Sequence, residues 1–428
     1  MILKQEKINE GISFSSIKTD KFKSSVISFS LTFPMSKESV VYNILLAQIL
    51  LRGTKNFPSL SLLNKHLDEL YGSYIEIKSH NMGQNVSLAI TAEALENKYI
   101  PDNTDILGEV IKTVADLILS PAFIQEDFNR AYFEQEKKLA IDAINSEINN
   151  TRVFAAKRCI ELMGENSVKP TSEELKILFA NADFDGLINH YRSIILNTPI
   201  NIFYIGLEDN STIKNKILSA FGDHTPKASF SLIAPQQIKS SSLCEKSIKM
   251  PVSQGKLSLG FSTDTVFDNS DKYYTMMVLN EIFGGSASSK LFLNVREKMS
   301  LCYYCSSSYS PFSGVLLVSS GFEVKNHKIA KKAILEQLED IKNGLISDTE
   351  FSAAQKSFIN SYRQLYDSPF DMQAFISDRA IFGITDTLDT AQKKILAVTK
   401  EDIISLASQI KLNASFFIEG TEDGEEEI

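Results

Sequence analysis

The segment NILLAQILLRGT, Asn43–Thr54, is the strongest structural signal in the chain. Its apolar residues predict a helix from about Glu38 to Leu51, and Gly53 follows as a typical helix stop. A strand-like alternation, SSVISFSLTF at Ser24–Phe33, comes before this helix. A short helix and two further strands, separated by the turn Asn81-Met82-Gly83, come after it. This order of elements is typical of an α+β domain.

The same order of elements then appears a second time. A strand, KLSLGFSTD at Lys256–Asp264, is followed by the helix DKYYTMMVLNEIF and a Gly284-Gly285 stop, and the copy closes on ASFFIEGTED. This internal repeat predicts two homologous domains, 1–222 and 250–428. The segment 223–249, rich in Ser, Lys and Pro, is predicted to be a linker. Each domain is predicted to be a mostly antiparallel sheet with helices packed on one face.

The composition narrows the range of functions. A net charge of −9 argues against nucleic acid and an anionic membrane surface as main partners. The N-terminal sequence MILKQEKINEG has no signal-peptide core, and the apolar runs are too short to span a membrane. Four cysteines do not form a disulfide framework, so a cytoplasmic location is expected. Cys302 and Cys305 have C-x-x-C spacing, but in a strand they would point to opposite faces and are interpreted as plain thiols.

The residues by themselves indicate no active site. The five histidines include no pair at the i,i+3 or i,i+4 spacing that would place two zinc ligands on one helix face. The Gly284–Ser288 segment, GGSAS, lacks the last glycine of a nucleophile elbow and is not a phosphate-binding loop. A glycine-rich end of a helix explains it equally well.

Nearly the whole chain nevertheless resembles the M16 zinc metallopeptidases, the insulinase-like or pitrilysin-like family. The resemblance rests on the duplicated order of α+β elements and on the helix that ends in Arg-Gly-Thr. The resemblance is to the short type, in which one chain holds two repeats and forms half of a clamshell. Active members carry H-x-x-E-H on the first-repeat helix, with two zinc-binding histidines and a glutamate as general base. Counted from Gly53-Thr54, these positions are Ile44, Ala47 and Gln48 in this chain.

The third zinc ligand of active members also has no counterpart at its best-aligned position. That ligand is a glutamate on a later helix, and the alignment with FEQEKKLAIDAI places Ala143 there, with Asp142 one residue away. A shift of one residue would restore a carboxylate but not a site, because one carboxylate alone does not hold zinc. We therefore expect no metal, no cofactor and no peptidase activity from the chain on its own.

A second-repeat motif of active members, R-E-K-x-x-L-x-Y, is retained as Arg296 to Tyr303. The resemblance implies that Tyr303 donates to the scissile carbonyl region of a peptide and that Arg296 orients Tyr303 or binds the peptide. It also implies, from a shorter match, that Gly284 and Gly285 belong to a substrate-handling loop. The structural alternative is that Arg296 forms a surface ion pair and Tyr303 packs in a core.

Loss of the zinc residues and retention of the substrate motif predict a non-catalytic, substrate-binding subunit. Its expected partners are an M16 chain bearing H-x-x-E-H and an unfolded peptide, and a homodimer in isolation stays open. The alternative is a stand-alone peptide-binding, scaffold or maturation-accessory protein. A neighbouring gene for an intact M16 chain would favour the first interpretation, and its absence the second.

Overall fold

The computed structural model describes residues 3–102, 104–123, 127–164, 168–238, 242–268 and 270–421. The strands are β1 (Lys4–Asn9), β2 (Ile12–Lys18), β3 (Ser24–Pro34), β4 (Tyr74–Met82), β5 (Asn85–Leu95), β6 (Ile200–Gly206), β7 (Cys244–Met250), β8 (Gly255–Ser262), β9 (Tyr304–Ser310), β10 (Val315–Phe322) and β11 (Lys411–Gly420). The α-helices are α1 (Lys37–Leu50), α2 (Leu60–Glu69), α3 (Ile106–Leu119), α4 (Arg130–Ser146), α5 (Thr151–Met163), α6 (Ser172–Asn181), α7 (Phe184–Asn197), α8 (Asn210–Phe221), α9 (Asp271–Asn280), α10 (His327–Lys342), α11 (Asp348–Leu365), α12 (Pro369–Ile381), α13 (Leu388–Ala397) and α14 (Lys400–Ala407).

Two sheets organise the chain. The first has the strand order β1-β2-β6-β3-β5-β4, and the second has the order β7-β11-β8-β10-β9. In each sheet one pair is parallel, β2 with β6 and β11 with β7, and the other pairs are antiparallel. Apart from the added β1, the two orders correspond strand for strand, parallel pair included. The predicted duplication and the predicted mostly antiparallel α+β architecture are therefore both present in the structure.

Alternation along β3 gives the first sheet two different faces. Ile27, Phe29 and Leu31 are fully buried in the main core, where they pack with α1, α3, α7 and α8. Apart from Val26 and Pro34, the residues of the opposite face of β3 carry hydroxyl groups, with Ser28 fully buried and Ser30 largely so. Successive side chains of a strand point to opposite faces of the sheet. The hydroxyl-bearing face of β3 must therefore be covered by groups that can form hydrogen bonds.

Each sheet also receives one helix from a distant part of the sequence. The first compact unit comprises Met1–Ile144, Val168–Ala234 and Gln364–Thr387, so it includes α12 from the second half of the chain. The second unit comprises Asn145–Ser167, Pro235–Arg363 and Leu388–Ile428, so it includes α5 from the first half. This exchange makes the compact units discontinuous, and they differ from the continuous segments 1–222 and 250–428. Those segments stay a prediction for the repeat boundaries.

The exchanged helices cover the sheet faces that sequence analysis left open. Gln373 of α12 donates from Nε2 to the Ser28 hydroxyl at 2.7 Å. On the second sheet, Ala155, Cys159 and Met163 of α5 pack in a core with residues of β10 and β11. Each sheet is therefore covered by helices on one face, as predicted, and by one exchanged helix on the other.

Two local features differ from the sequence predictions. Residues 244–250, mostly assigned to the linker 223–249, form strand β7 and pair in parallel with β11. Most residues of this edge strand are exposed, and Glu245, Lys246 and Lys249 are charged, which gave it the appearance of a linker. The second-repeat helix predicted to end at Gly284-Gly285 finishes in a π-helical turn, Glu281–Gly285, and a second π-helical segment spans Leu291–Lys298.

Among the described residues, no helix has the length and apolarity needed to cross a membrane.

Candidate functional site

Helix α1 carries the positions at which the resemblance places zinc residues. Ser36 caps the helix in a reciprocal hydrogen-bonded box with Ser39, and the apolar residues beyond it are buried. The helix ends before Gly53, whose φ of +146° and contact with the Phe57 carbonyl leave no room for a side chain. The Arg52 guanidinium then forms an ion pair with Glu136 of α4. The Arg-Gly-Thr stop therefore anchors α4 to the end of α1.

Ile44, Ala47 and Gln48 line a cleft of about 440 Å³. Ile44 is half-buried, Gln48 is exposed, and Ala47 is only 1% exposed and belongs to the main core. These three side chains offer one amide and no imidazole, thiolate or carboxylate, so they do not fit zinc. The α1 wall of this cleft therefore consists of two apolar side chains and one amide, and its origin as a degenerate zinc site stays a prediction.

The position predicted for the third zinc ligand is also unsuited to completing a zinc site in this cleft. Asp142 and Ala143 both lie on α4 and are exposed, and neither is among the residues that line the cleft. Over the described ranges, no group of three or more His, Cys, Asp or Glu side chains is arranged to hold a metal ion. No catalytic step through a metal can be built from these residues.

The opposite wall of this cleft is polar and was missed by sequence reasoning. The Lys78 ammonium lies 2.7 Å from a Glu76 carboxylate oxygen on β4, and His80 Nε2 lies 4.0 Å from Asp378 Oδ1 on α12. Burial raises the pKa of the Asp378 carboxyl, and the neighbouring His80 and Arg379 act against that shift. Sequence analysis could not pair His80 with Asp378, because α12 is separated from β4 by most of the chain.

Arg296 and Tyr303 come together in a second cleft, of about 360 Å³. The Arg296 guanidinium carbon lies 4.5 Å from the centre of the Phe292 ring, and its Nε is 3.5 Å from Glu297. Tyr303 is 54% exposed, while its backbone N–H donates to the Gly321 carbonyl at 2.8 Å. Tyr303 is therefore not a core tyrosine, and it lines the same cleft as Arg296.

Gly284 and Gly285 do not line that cleft. Gly284 is buried, and a Cβ there would come within 2.6 Å of the Ser307 backbone nitrogen on β9. Gly285 is exposed. Close packing of the helix end against β9 accounts for Gly284, so its role toward a substrate stays a prediction without support from the geometry.

A pair of cations that sequence reasoning also missed lies on the second sheet. The Arg152 guanidinium carbon is 4.2 Å, and the Lys256 ammonium 5.5 Å, from the centre of the Tyr304 ring. The ring lies over Gly321, where a Cβ would collide with it. Arg152 also donates to Ser306 Oγ at 3.2 Å. The three residues come from α5, β8 and β9, so no local motif could reveal them.

Nothing neutralises these two cations within the described part of the chain, since no ion pair joins either to a carboxylate. Burial lowers the pKa of the Lys256 ammonium, and repulsion from Arg152 lowers it further. Burial also raises the pKa of Tyr304 to about 12, so its ring stays a neutral platform. The arrangement is suited to receiving a carboxylate.

Comparison with known proteins identifies the family. Residues 182–358 match the family model described as the Peptidase M16 inactive domain. The chain is 30% identical over 424 residues to a Bacillus subtilis protein named "Probable inactive metalloprotease YmfF", and the match covers 96% of each. The chain belongs to the M16 peptidase family. A second Bacillus subtilis protein, "Uncharacterized zinc protease YmxG", is 29% identical over 165 residues, covering 38% of this chain and 40% of that protein.

Solved structures confirm the M16 fold. A conserved protein from Enterococcus faecalis V583 superimposes with a TM-score of 0.88 at 24% identity, and the match covers 100% of both chains. The peptidase M16 inactive domain from Pseudomonas fluorescens gives 0.80 at 14% identity, over 98% of this chain and 99% of that one. The match to the M16 inactive domain and to a protein named as a probable inactive metalloprotease supports a lack of peptidase activity of this chain on its own.

Rebuilding the motif with Ile44→His, Ala47→Glu and Gln48→His should destabilise the protein without creating a peptidase. A glutamate at the buried Ala47 position would lose hydration without gaining a partner, at a cost of about 1–3 kcal/mol in the free energy of unfolding. Thermal unfolding with and without zinc, together with a peptide cleavage assay, measures both effects.

The matched control is Gln48→His alone, because this position is exposed. It should change the free energy of unfolding by no more than about 0.5 kcal/mol. A zinc-dependent rise in melting temperature accompanied by peptide cleavage in the triple variant would contradict the conclusion that the site is lost.

Proposed function

We propose that this chain is the non-catalytic, substrate-binding subunit of a two-chain M16 zinc metallopeptidase. The observation that carries the proposal is the contrast between its two clefts. The cleft on α1 has lost every zinc residue, whereas Arg296 and the exposed Tyr303 remain together in the other. Positioning a peptide and activating water are separable tasks, so one chain can keep the first after losing the second.

Edge strands supply a general way to hold an unfolded peptide. Strands β4 and β9 each end their sheet's order, and β9 begins immediately after Tyr303. An edge strand presents unpaired backbone N–H and C=O groups, to which an extended peptide can add as a further strand. Such binding depends mainly on main-chain hydrogen bonds, so it accepts many peptide sequences. A subunit that holds unfolded peptides needs this tolerance.

The partner in this proposal is an M16 chain bearing H-x-x-E-H. It supplies zinc and its activated water, while this chain holds and orients the peptide. The zinc content of this chain alone should be far below one ion per molecule. Capture from native cells, with identification of the bound chain, tests the pairing directly. Capture of peptides but of no M16 chain would favour the stand-alone peptide-binding alternative.

The cation pair predicts a preference for peptides that carry a carboxylate. The double variant Arg152→Gln with Lys256→Met should weaken binding of a glutamate-containing peptide about tenfold, since charged hydrogen bonds contribute about 1.5–3 kcal/mol. The same peptide with glutamine in place of glutamate should bind both proteins alike. Fluorescence anisotropy of labelled peptides at low salt provides the measurement.

Lys332→Met is the control for net charge, because Lys332 is exposed on α10 and paired with Glu336. It should leave both affinities unchanged. Equal weakening for the glutamate and glutamine peptides would show that Arg152 and Lys256 act on folding or on the peptide backbone rather than on a carboxylate.

A further inference from the structure

Cys302 and Cys305 do not lie on opposite faces of a strand, as their spacing had indicated. Strand β9 begins at Tyr304, so Cys302 precedes it in a turn that passes through Ser300 with φ of +50°. Cys305 is on the strand, directly opposite Ser320 of β10. The alternation of side chains therefore does not apply across the pair, and the turn decides where the first thiol points.

One serine shows that both sulfur atoms lie on the same side of the sheet. Ser320 is the cross-strand neighbour of Cys305, and its hydroxyl donates to Cys302 Sγ at 3.1 Å. Each thiol also shifts the pKa of the other. All four cysteines of the chain are unpaired thiols in this structure. The C-x-x-C segment therefore holds two reduced sulfurs beside the same serine, Ser320.

The two thiols are not equivalent. Cys302 is 9% exposed and lines the cleft of Arg296 and Tyr303, whereas Cys305 is 4% exposed and does not line it. The Cys305 thiol lowers the pKa of the Cys302 thiol. The Cys302 thiol, together with burial, raises the pKa of Cys305. Cys302 is thus the sulfur that meets a reagent first, and Cys305 is placed to react second.

The other two cysteines lack these properties. Cys159 of α5 is fully buried, and burial raises the pKa of its thiol to about 12. Cys244 is half-buried on the edge strand β7. The Cys159 thiol donates to the Ser258 and Ala414 carbonyls, and Cys244 acts to raise its pKa further. They provide internal controls within the same molecule.

We propose that Cys302 and Cys305 form a thiol pair that exchanges with a low-molecular-weight disulfide and closes into an intramolecular disulfide at the Arg296–Tyr303 cleft. The Cys302 thiolate attacks one sulfur of the reagent RSSR, forming a mixed disulfide and releasing RS⁻, which takes up a proton. Cys305, losing its proton, then attacks Cys302 Sγ and expels the second RS⁻, which is protonated in turn. Two protein thiols are oxidised, and one RSSR is reduced to two RSH.

Closure of this ring would act on Tyr303. Tyr303 and Tyr304 are the two residues inside the ring, and the backbone N–H of Tyr303 is already held by Gly321. A disulfide across them fixes the backbone that aims the exposed phenol into the cleft. The exchange chemistry is independent of the proposed function, but any effect of closure on peptide handling rests on it.

The test uses the full-length chain and oxidised glutathione as the probe. After treatment, thiol titration of the denatured protein should fall from the four cysteines of the sequence to two. Intact mass should show loss of two hydrogens, and peptide mapping should join Cys302 to Cys305. The rate of the first step should rise with pH as Cys302 ionises. Retention of four thiols, or modification first at Cys244, would overturn the proposal.

Two variants separate the two steps. Cys305→Ser should stop the reaction at one stable glutathionyl group on Cys302, because the resolving thiol is gone. Cys302→Ser should leave Cys305 unmodified under the same conditions, because Cys305 is buried. Cys244→Ser should close the ring as the unchanged protein does. Modification of Cys305 in the absence of Cys302 would contradict the assigned order, whether or not either variant is less stable.

Peptide binding is measured separately on reduced and closed protein. An about fivefold or larger change in affinity on closure, reversed by dithiothreitol, is expected from altered presentation of Tyr303. Ring closure without a change in affinity would refute the coupling to the cleft while leaving the exchange chemistry established. Absence of peptide binding in both states would count against the proposed function, not against the thiol pair.

Discussion

Replacing Arg52 with methionine is expected to lower the free energy of unfolding by about 3–5 kcal/mol, because the Glu136 carboxylate would stay buried without its partner. The Glu136 side chain is 8% exposed and that of Arg52 is 24% exposed. Arg52 also stacks its guanidinium 4.8 Å from the centre of the Tyr132 ring on α4. In the described residues, Arg52 is the cation that forms an ion pair with Glu136. Urea-induced unfolding of the two proteins measures the difference.

Two further variants show whether the loss comes from an orphaned charge. Arg52→Met combined with Glu136→Leu should recover most of the stability, since a buried ion pair replaced by apolar residues costs little. Lys65→Met breaks an exposed pair, Lys65 with Glu69, and should change the free energy of unfolding by less than about 1 kcal/mol. If Arg52→Met behaved like Lys65→Met, the Arg-Gly-Thr stop would not anchor α4 through charge.

Changing Tyr303 to phenylalanine is expected to lower peptide turnover by the reconstituted two-chain enzyme about 100-fold, the usual loss when one donor to a developing oxyanion is removed. This prediction rests on the proposed function. The ring is retained and the hydroxyl lies on an exposed residue, so folding and partner binding should stay nearly intact. The measurement is kcat and KM of the pair, together with the melting temperature of the variant chain.

Arg296→Ala removes a guanidinium held by Phe292 and should act in the same direction, with a larger effect on KM if Arg296 contacts the peptide. Tyr99→Phe is the matched control, because Tyr99 is 44% exposed in the first unit and lies outside both clefts. Unchanged turnover after removal of both Arg296 and Tyr303 would assign them to structure. The scaffold interpretation would then be preferred.

Local sequence predicted most of the individual elements because their signals are local. The apolar run of α1 and the alternation along β3 each report directly that one side of an element is buried. Repetition of the same order then predicted two matching sheets, and the strand orders agree. The loss of the zinc positions was equally visible, since Ile44 and Ala47 have no donor atoms in any fold. Strand β7 was missed because an edge strand that is mostly exposed and carries three charged residues has little hydrophobic signal.

The remaining features required the tertiary structure. Sequence analysis did not predict α12, and periodicity shows only that a helix such as α5 buries a face and not which sheet covers it. In the structure, α12 places Asp378 beside His80, and α5 places Arg152 beside Lys256 and Tyr304. The thiol pair also depended on a backbone turn at Ser300, which the strand rule could not anticipate. The sequence by itself thus determined which chemistry was lost, because that depends on residue type alone. Only the tertiary structure decided which groups now meet, because that depends on contacts between segments far apart in the chain.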